Sequence, residues 1–219
     1  MSEAARGLTV QGPEFAAGFP EEFSALLAWR RDVRRFRSRS VPEELIAELI
    51  ALTAFAPSVG NCQPTRIVRV DDPARRLAIE ENFAIANRAA LSAYEGERAA
   101  LYAKLKLAGL REAPIHLAIF CDEATELGHG LGARTMPEMR RYSSVCALHT
   151  FWLAARARGL GVGWVSILEP GAIAKTLELP QGWTFIGYLC VGWPQEEHLT
   201  PELERAGWQP RVAPTVLRR

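Results

Sequence analysis

The stretch Ile115-His116-Leu117-Ala118-Ile119-Phe120-Cys121 is an apolar run of strand length, and its reading decides the fold. A run that is apolar on successive positions suits a strand covered on both faces. Residues 163–168 and 185–192 read as buried strands too, and Arg66-Ile67-Val68-Arg69-Val70 alternates as a strand does. Helices fill the intervals. One begins at Pro20, with Glu21 and Glu22 suiting its first turn and Phe23, Leu26 and Leu27 at helical spacing. Ser40 is placed to cap a second near Pro42, with Leu45, Leu49, Leu52 and Phe55 on one face and Pro57 as its stop. Asp71-Asp72-Pro73 starts another, and residues 74–110 read as two helices broken at Tyr94-Glu95-Gly96. The longest helix spans 137–158, buries Met139, Val145, Leu148, Trp152 and Ala155, and stops at Gly159. A last helix spans 170–179, between two of the strands.

Helices come first and the alternation is irregular, which predicts an α+β sandwich rather than a doubly wound parallel sheet. The chain of 219 residues is expected to divide into a loose arm (1–19), one domain (20–194) with a lid around 88–112, and an extended arm (195–219) that packs on a partner subunit. Hydrophobic residues make up 48% and charged residues 23%, an ordinary globular balance. A net charge of +1 gives no general attraction for polyanions, so neither nucleic acid nor a membrane surface is an expected partner. No basic segment followed by an apolar one opens the chain, and no apolar run approaches the length of a membrane span, so a cytoplasmic location is expected. Cys62, Cys121, Cys146 and Cys190 are scattered and read as reduced, and the four histidines have no ligand spacing, so no metal site is expected.

Three segments carry candidate chemistry. Arg30-Arg31-Asp32-Val33-Arg34-Arg35-Phe36-Arg37, followed by Arg39, places six arginines within ten residues. Guanidinium groups suit bidentate recognition of phosphate, but a solvated helix end whose cations complement the helix dipole explains the run equally well. Asp32 is either the counter-ion of these arginines, which the residues alone favour, or a positioned acid or base. Ser58-Val59-Gly60-Asn61-Cys62-Gln63-Pro64 offers a hydroxyl and two amides that donate and accept, as a flat heterocycle requires, and is otherwise a polar turn. Gly159-Leu160-Gly161-Val162-Gly163-Trp164-Val165-Ser166 has its glycines leaving a helix and entering a strand, the reverse of a dinucleotide fingerprint. Close helix-to-sheet packing accounts for those glycines, while Trp164 and Ser166, on alternate positions, can face one side.

Taken together, the R-R-x-x-R-x-F segment, the P-S-x-x-N-x-Q-P loop and the late G-x-G-x-x-W strand resemble the nitroreductase-like flavoproteins over residues 23–211. With Leu105-Lys106-Leu107 and Gly109, they are similar to the branch in which reduced FMN is fragmented with dioxygen to 5,6-dimethylbenzimidazole and erythrose 4-phosphate for cobalamin. The resemblance implies a mixed, mostly antiparallel sheet flanked by helices, an intertwined homodimer, and FMN at the dimer interface as cofactor or substrate. A flavin reductase is the implied partner that supplies reduced FMN. Arg30, Arg31 and Arg34 are implied to grip the phosphate. Ser58, Asn61, Gln63 and Trp164 are implied around the rest of the flavin, with Asn87 and Arg211 placed only by chain position. Asp32 and Ser166 are implied as catalytic residues. Ordinary members carry a small hydroxyl residue at the position of Asp32, and a Trp at the position of Thr65. A conventional FMN-dependent NAD(P)H nitroreductase or flavin reductase is the alternative activity.

Overall fold

The computed structural model describes residues 12–219, so the expected arm at 1–19 lies mostly outside the described residues. Four strands form one sheet in the order β1 (Thr65–Arg69), β2 (Ile115–Asp122), β4 (Trp183–Gly192), β3 (Gly161–Val165), and every neighbouring pair is antiparallel. The central pair is covered on both faces. Ile115, Leu117 and Ile119 enter one core cluster with Leu148, Phe151 and Ala155, while Ala118 and Phe120 enter the other with Ile79, Ile173 and Tyr188. That is why β2 reads as an unbroken apolar run: its period of two points alternately into two cores.

His116 lies on the second face, only 1% exposed. Its Nε2 faces the Ala113 carbonyl (3.1 Å), which only accepts, so Nε2 carries the proton and Nδ1 accepts from the Tyr188 hydroxyl (2.9 Å). Burial is the main force lowering its pKa, to about 4, so the ring is neutral near pH 7.

The helices are α1 (Phe19–Trp29), α2 (Glu43–Leu52), α3 (Pro73–Leu91), α4 (Gly96–Lys104), α5 (Met139–Ala157), α6 (Pro170–Thr176) and α7 (Glu202–Arg205). Several expectations change in detail. Ser40 does not cap α2, whose cap position is Pro42 and has no side-chain bond; Ser40 lies two residues too early. α2 ends at Leu52 and a 3-10 turn follows, which turns Phe55 outward to 83% exposure. In α5 the buried face runs through Ser144, Leu148, Phe151 and Ala155, so Val145, one position off that stripe, is exposed. The strand expected at 163–168 is β3, two residues earlier, because Gly161 and Val162 pair with Gly192 and Val191. The tail, expected as an extended arm, holds the short α7.

The arginine segment is the structural surprise. It runs along the outer edge of β3: Asp32 bridges Val162 in parallel, and the Val33 N–H donates to the Val162 carbonyl (3.0 Å). Farther on, Phe36 bridges Pro194 and the Arg37 N–H donates to the Trp193 carbonyl (2.9 Å). Gly161 and Gly163 exist for this contact, since a methyl group on either would strike Val33. Only Gly159, at φ +78°, serves as the α5 stop.

Candidate functional site

Because the segment is pinned to β3, Asp32 has a fixed address. Its Oδ1 accepts from the Trp164 N–H (2.8 Å) and its Oδ2 from Arg34 Nε (2.7 Å). Burial raises the Asp32 pKa above the usual carboxylate range, with the Arg34 charge and the Trp164 N–H pulling the other way. The counter-ion reading of Asp32 therefore describes its geometry, and its perturbed titration in a cleft marks it as a functional candidate too.

Asp32 lines a cleft of about 200 Å³ with Arg30, Arg31, Arg34, Glu202 and Arg211. Arg30 lies over the Trp152 ring, 4.7 Å from its centroid, and Arg31 Nε donates to the Leu199 carbonyl (2.6 Å). Burial lowers the pKa of both arginines, and Arg211 repels both. Three cations converging against their own repulsion form a place where an anion is welcome. Arg34 differs, since its Nε and Nη1 turn inward to Asp32 and to the Lys106 carbonyl (2.9 Å).

The Ser58 loop is elsewhere. Ser58 and Gln63 line a second cleft of about 240 Å³ with Thr65, Arg66 and Ser143. Gly60, Asn61 and Gln63 all have left-handed backbones, at φ +54°, +54° and +43°. Such strain in side-chain-bearing residues persists where surrounding contacts enforce it and concentrates at binding sites. Here the Ser58 hydroxyl accepts from the Gln63 N–H (3.2 Å), and the Val59 N–H donates to Ser143 Oγ (3.0 Å). Asn87 lies in a third cavity, of about 350 Å³, where its Oδ1 accepts from the Tyr102 hydroxyl (2.8 Å).

Thus Arg30, Arg31, Asp32, Arg34 and Arg211 come together, while Ser58, Asn61, Gln63 and Asn87 stand apart from them within one chain. Two positions correct the reading of β3. The Trp164 side chain packs on Gly187 and against Trp152, so the group it presents to Asp32 is its backbone N–H. Ser166 lies one residue past the end of β3 and is exposed, so it does not share a strand face with Trp164. The sequence reading missed Glu202, in a tail with no pattern, and the role of Trp152 beneath Arg30, since a core Trp on a helix gives no sign of the cation above it. Among the described residues no cluster of His, Cys, Asp and Glu could hold a metal, and no helix is long and apolar enough to cross a membrane.

Comparison with known proteins identifies relatives of this chain and of its fold. The chain is 58% identical over 208 residues to the 5,6-dimethylbenzimidazole synthase of Rhodospirillum rubrum, covering 95% of this chain and 99% of the relative. It is 48% identical over 189 residues to the enzyme of that name from Rhodobacter capsulatus, covering 86% and 91%. Among solved structures, iodotyrosine deiodinase bound to FMN and 3-iodo-L-tyrosine superposes with a TM-score of 0.70 at 21% identity, over 90% of this chain and 97% of that one. A nitroreductase from Exiguobacterium sibiricum in complex with FMN superposes at 0.61 and 16% identity, over 88% and 93%. The model of the nitroreductase family matches residues 27–193, from the foot of the arginine segment to the end of the sheet it is pinned to, and the chain belongs to that family.

Proposed function

We propose that this protein is a 5,6-dimethylbenzimidazole synthase, an enzyme that takes reduced FMN and dioxygen and yields 5,6-dimethylbenzimidazole and erythrose 4-phosphate, the pyrimidine end of the flavin leaving as an oxidised four-carbon, two-nitrogen ring. Identity of 58% across almost the whole of a relative bearing that name supports it. The observation that carries it in the geometry is the Asp32 carboxylate, held by the Trp164 N–H at 2.8 Å on the wall of a cleft ringed by Arg30, Arg31 and Arg211.

The residues fit FMN. Three guanidinium groups match a phosphate, and the strained loop carries amides at Asn61 and Gln63 for a ring with alternating donors and acceptors. When bound and reduced, the flavin supplies both the electrons for dioxygen and the carbon skeleton of the products. Arg30, Arg31 and Arg211 anchor the phosphate, and Asp32, its pKa raised by burial, holds or takes a proton from the ribityl end. The Ser166 hydroxyl is a hydrogen-bond donor just beyond the Trp164 strand. The arginine cleft and the Ser58 cleft are separate in one chain, so a second copy that brings its Ser58 loop to the first copy's arginines completes the site. Phe15, ahead of α1, and Phe19 and Phe23 on it are stacked and exposed, and they give that copy an apolar surface.

Incubation with chemically reduced FMN in air, followed by mass spectrometry, is expected to yield both products in equal amount. Steady NAD(P)H oxidation with a nitroaromatic acceptor, FMN being returned intact and neither product formed, would instead establish a conventional nitroreductase.

A further inference from the structure

Arg34 sits where three parts of the chain meet. Its Nε donates to Asp32, its Nη1 donates to the Lys106 carbonyl, and Nη1 lies 4.0 Å from Glu202 in α7. Its side chain is 10% exposed, against 30% for Asp32, so protein groups rather than water hold it. The rigid guanidinium fork fixes both hydrogen bonds in direction, which an ammonium on a flexible stem cannot do. A second contact ties the same two segments together. Gly109 is buried so close to the Phe36 ring that a side chain there would collide with it, and it would press tightly on the Arg34 carbonyl.

Resting on the reading that Asp32 acts on bound flavin, we infer that Arg34 is a positioning residue rather than a further phosphate ligand: it orients the Asp32 carboxylate and couples it to the segment at 105–112. The charged surroundings of Asp32 set the sign of the test. Arg34 and the Trp164 N–H favour its ionised form, Glu202 from α7 disfavours it, and Cys190 of β4 is near enough to feel its charge. Arg30, Arg31 and Arg211 share its cleft, and the small adjoining cavity adds Arg35, Arg156, Arg205, Glu196, Glu197 and the titratable His198. Losing the Arg34 charge leaves burial less opposed, so the step in the pH profile of kcat that reports Asp32 ionisation moves to higher pH.

The test compares the parent enzyme with Arg34→Gln and Arg34→Lys. It measures FMN affinity by fluorescence and product formation from reduced FMN across pH. Arg34→Gln is expected to bind FMN within about threefold of the parent, since each tenfold in affinity is about 1.4 kcal/mol and the phosphate ligands are untouched. Its kcat falls and the step moves up in pH. Arg34→Lys, which should fold even where Arg34→Gln does not, keeps the charge and loses the fork, so its step stays at the parent position while kcat remains low. A tenfold or greater loss of FMN affinity with the step unmoved overturns the inference, as does a step that persists in Asp32→Asn and so belongs to another group such as His198. If the parent itself forms no dimethylbenzimidazole, the functional reading fails and takes this inference with it. If the parent does form it and Arg34→Gln matches it in affinity, kcat and pH profile, only the inference fails.

Discussion

Arg30, Arg31 and Arg211 repel one another around one cleft, and burial further weakens the hold of Arg30 and Arg31 on their protons. A protein keeps such a cluster where an anion offsets it, and in the function proposed above the flavin phosphate is that anion. A charge-assisted hydrogen bond contributes about 1.5–3 kcal/mol, so Arg31→Ala or Arg211→Ala should each weaken FMN binding roughly 10- to 100-fold. Riboflavin, which lacks the phosphate, should bind both variants as it binds the parent. Titration of the two flavins by fluorescence quenching separates the outcomes, and an equal loss for riboflavin would mean that these arginines shape the cleft rather than hold the phosphate.

At the level of elements, the Asp32 carboxylate owes its position to an edge contact between β3 and the segment after α1. That contact depends on the absence of a side chain at Gly163, where Cβ would meet the Val33 carbonyl. Gly163→Ala is therefore expected to destabilise the fold by about 1–3 kcal/mol, the usual cost of overpacking, and to depress turnover by lifting Asp32 from the Trp164 N–H. Gly18→Ala, where nothing lies within 4 Å of the added methyl, should stay within about 0.5 kcal/mol of the parent. Urea denaturation of both variants checks this, and a Gly163→Ala protein as stable and active as Gly18→Ala would refute the edge contact. The glycines were visible in the sequence, but their partner was not. A G-x-G pattern before a strand reads as helix-to-sheet packing because Val33 and Gly163 are far apart in the chain, and only the folded sheet edge brings them together.

For the whole molecule, the architecture was legible wherever local pattern and burial agree. β2 and β4 announce themselves as apolar runs because both faces are covered, and α3 by Asp72, which accepts from the Ala74 N–H at 2.8 Å. Details that rest on distant partners were not legible: the exposure of Val145 and Phe55, the start of β3, and the helix in the tail. The site divides in the same way. Arg30, Arg31, Arg34 and Asp32 lie within a few residues and read as one group, whereas the arrival of Arg211 beside them and the separation of the Ser58 loop follow from three-dimensional packing that no spacing encodes. The measurement that bears most directly on the account is a single turnover of reduced FMN in air, comparing the parent with Asp32→Asn. The asparagine keeps the acceptor for the Trp164 N–H, and removes the charge together with the oxygen that accepts from Arg34 Nε. The account predicts FMN affinity within about threefold and dimethylbenzimidazole formation slowed by a factor on the order of 100 or more, the scale of a lost acid or base; equal product from the two proteins would contradict it.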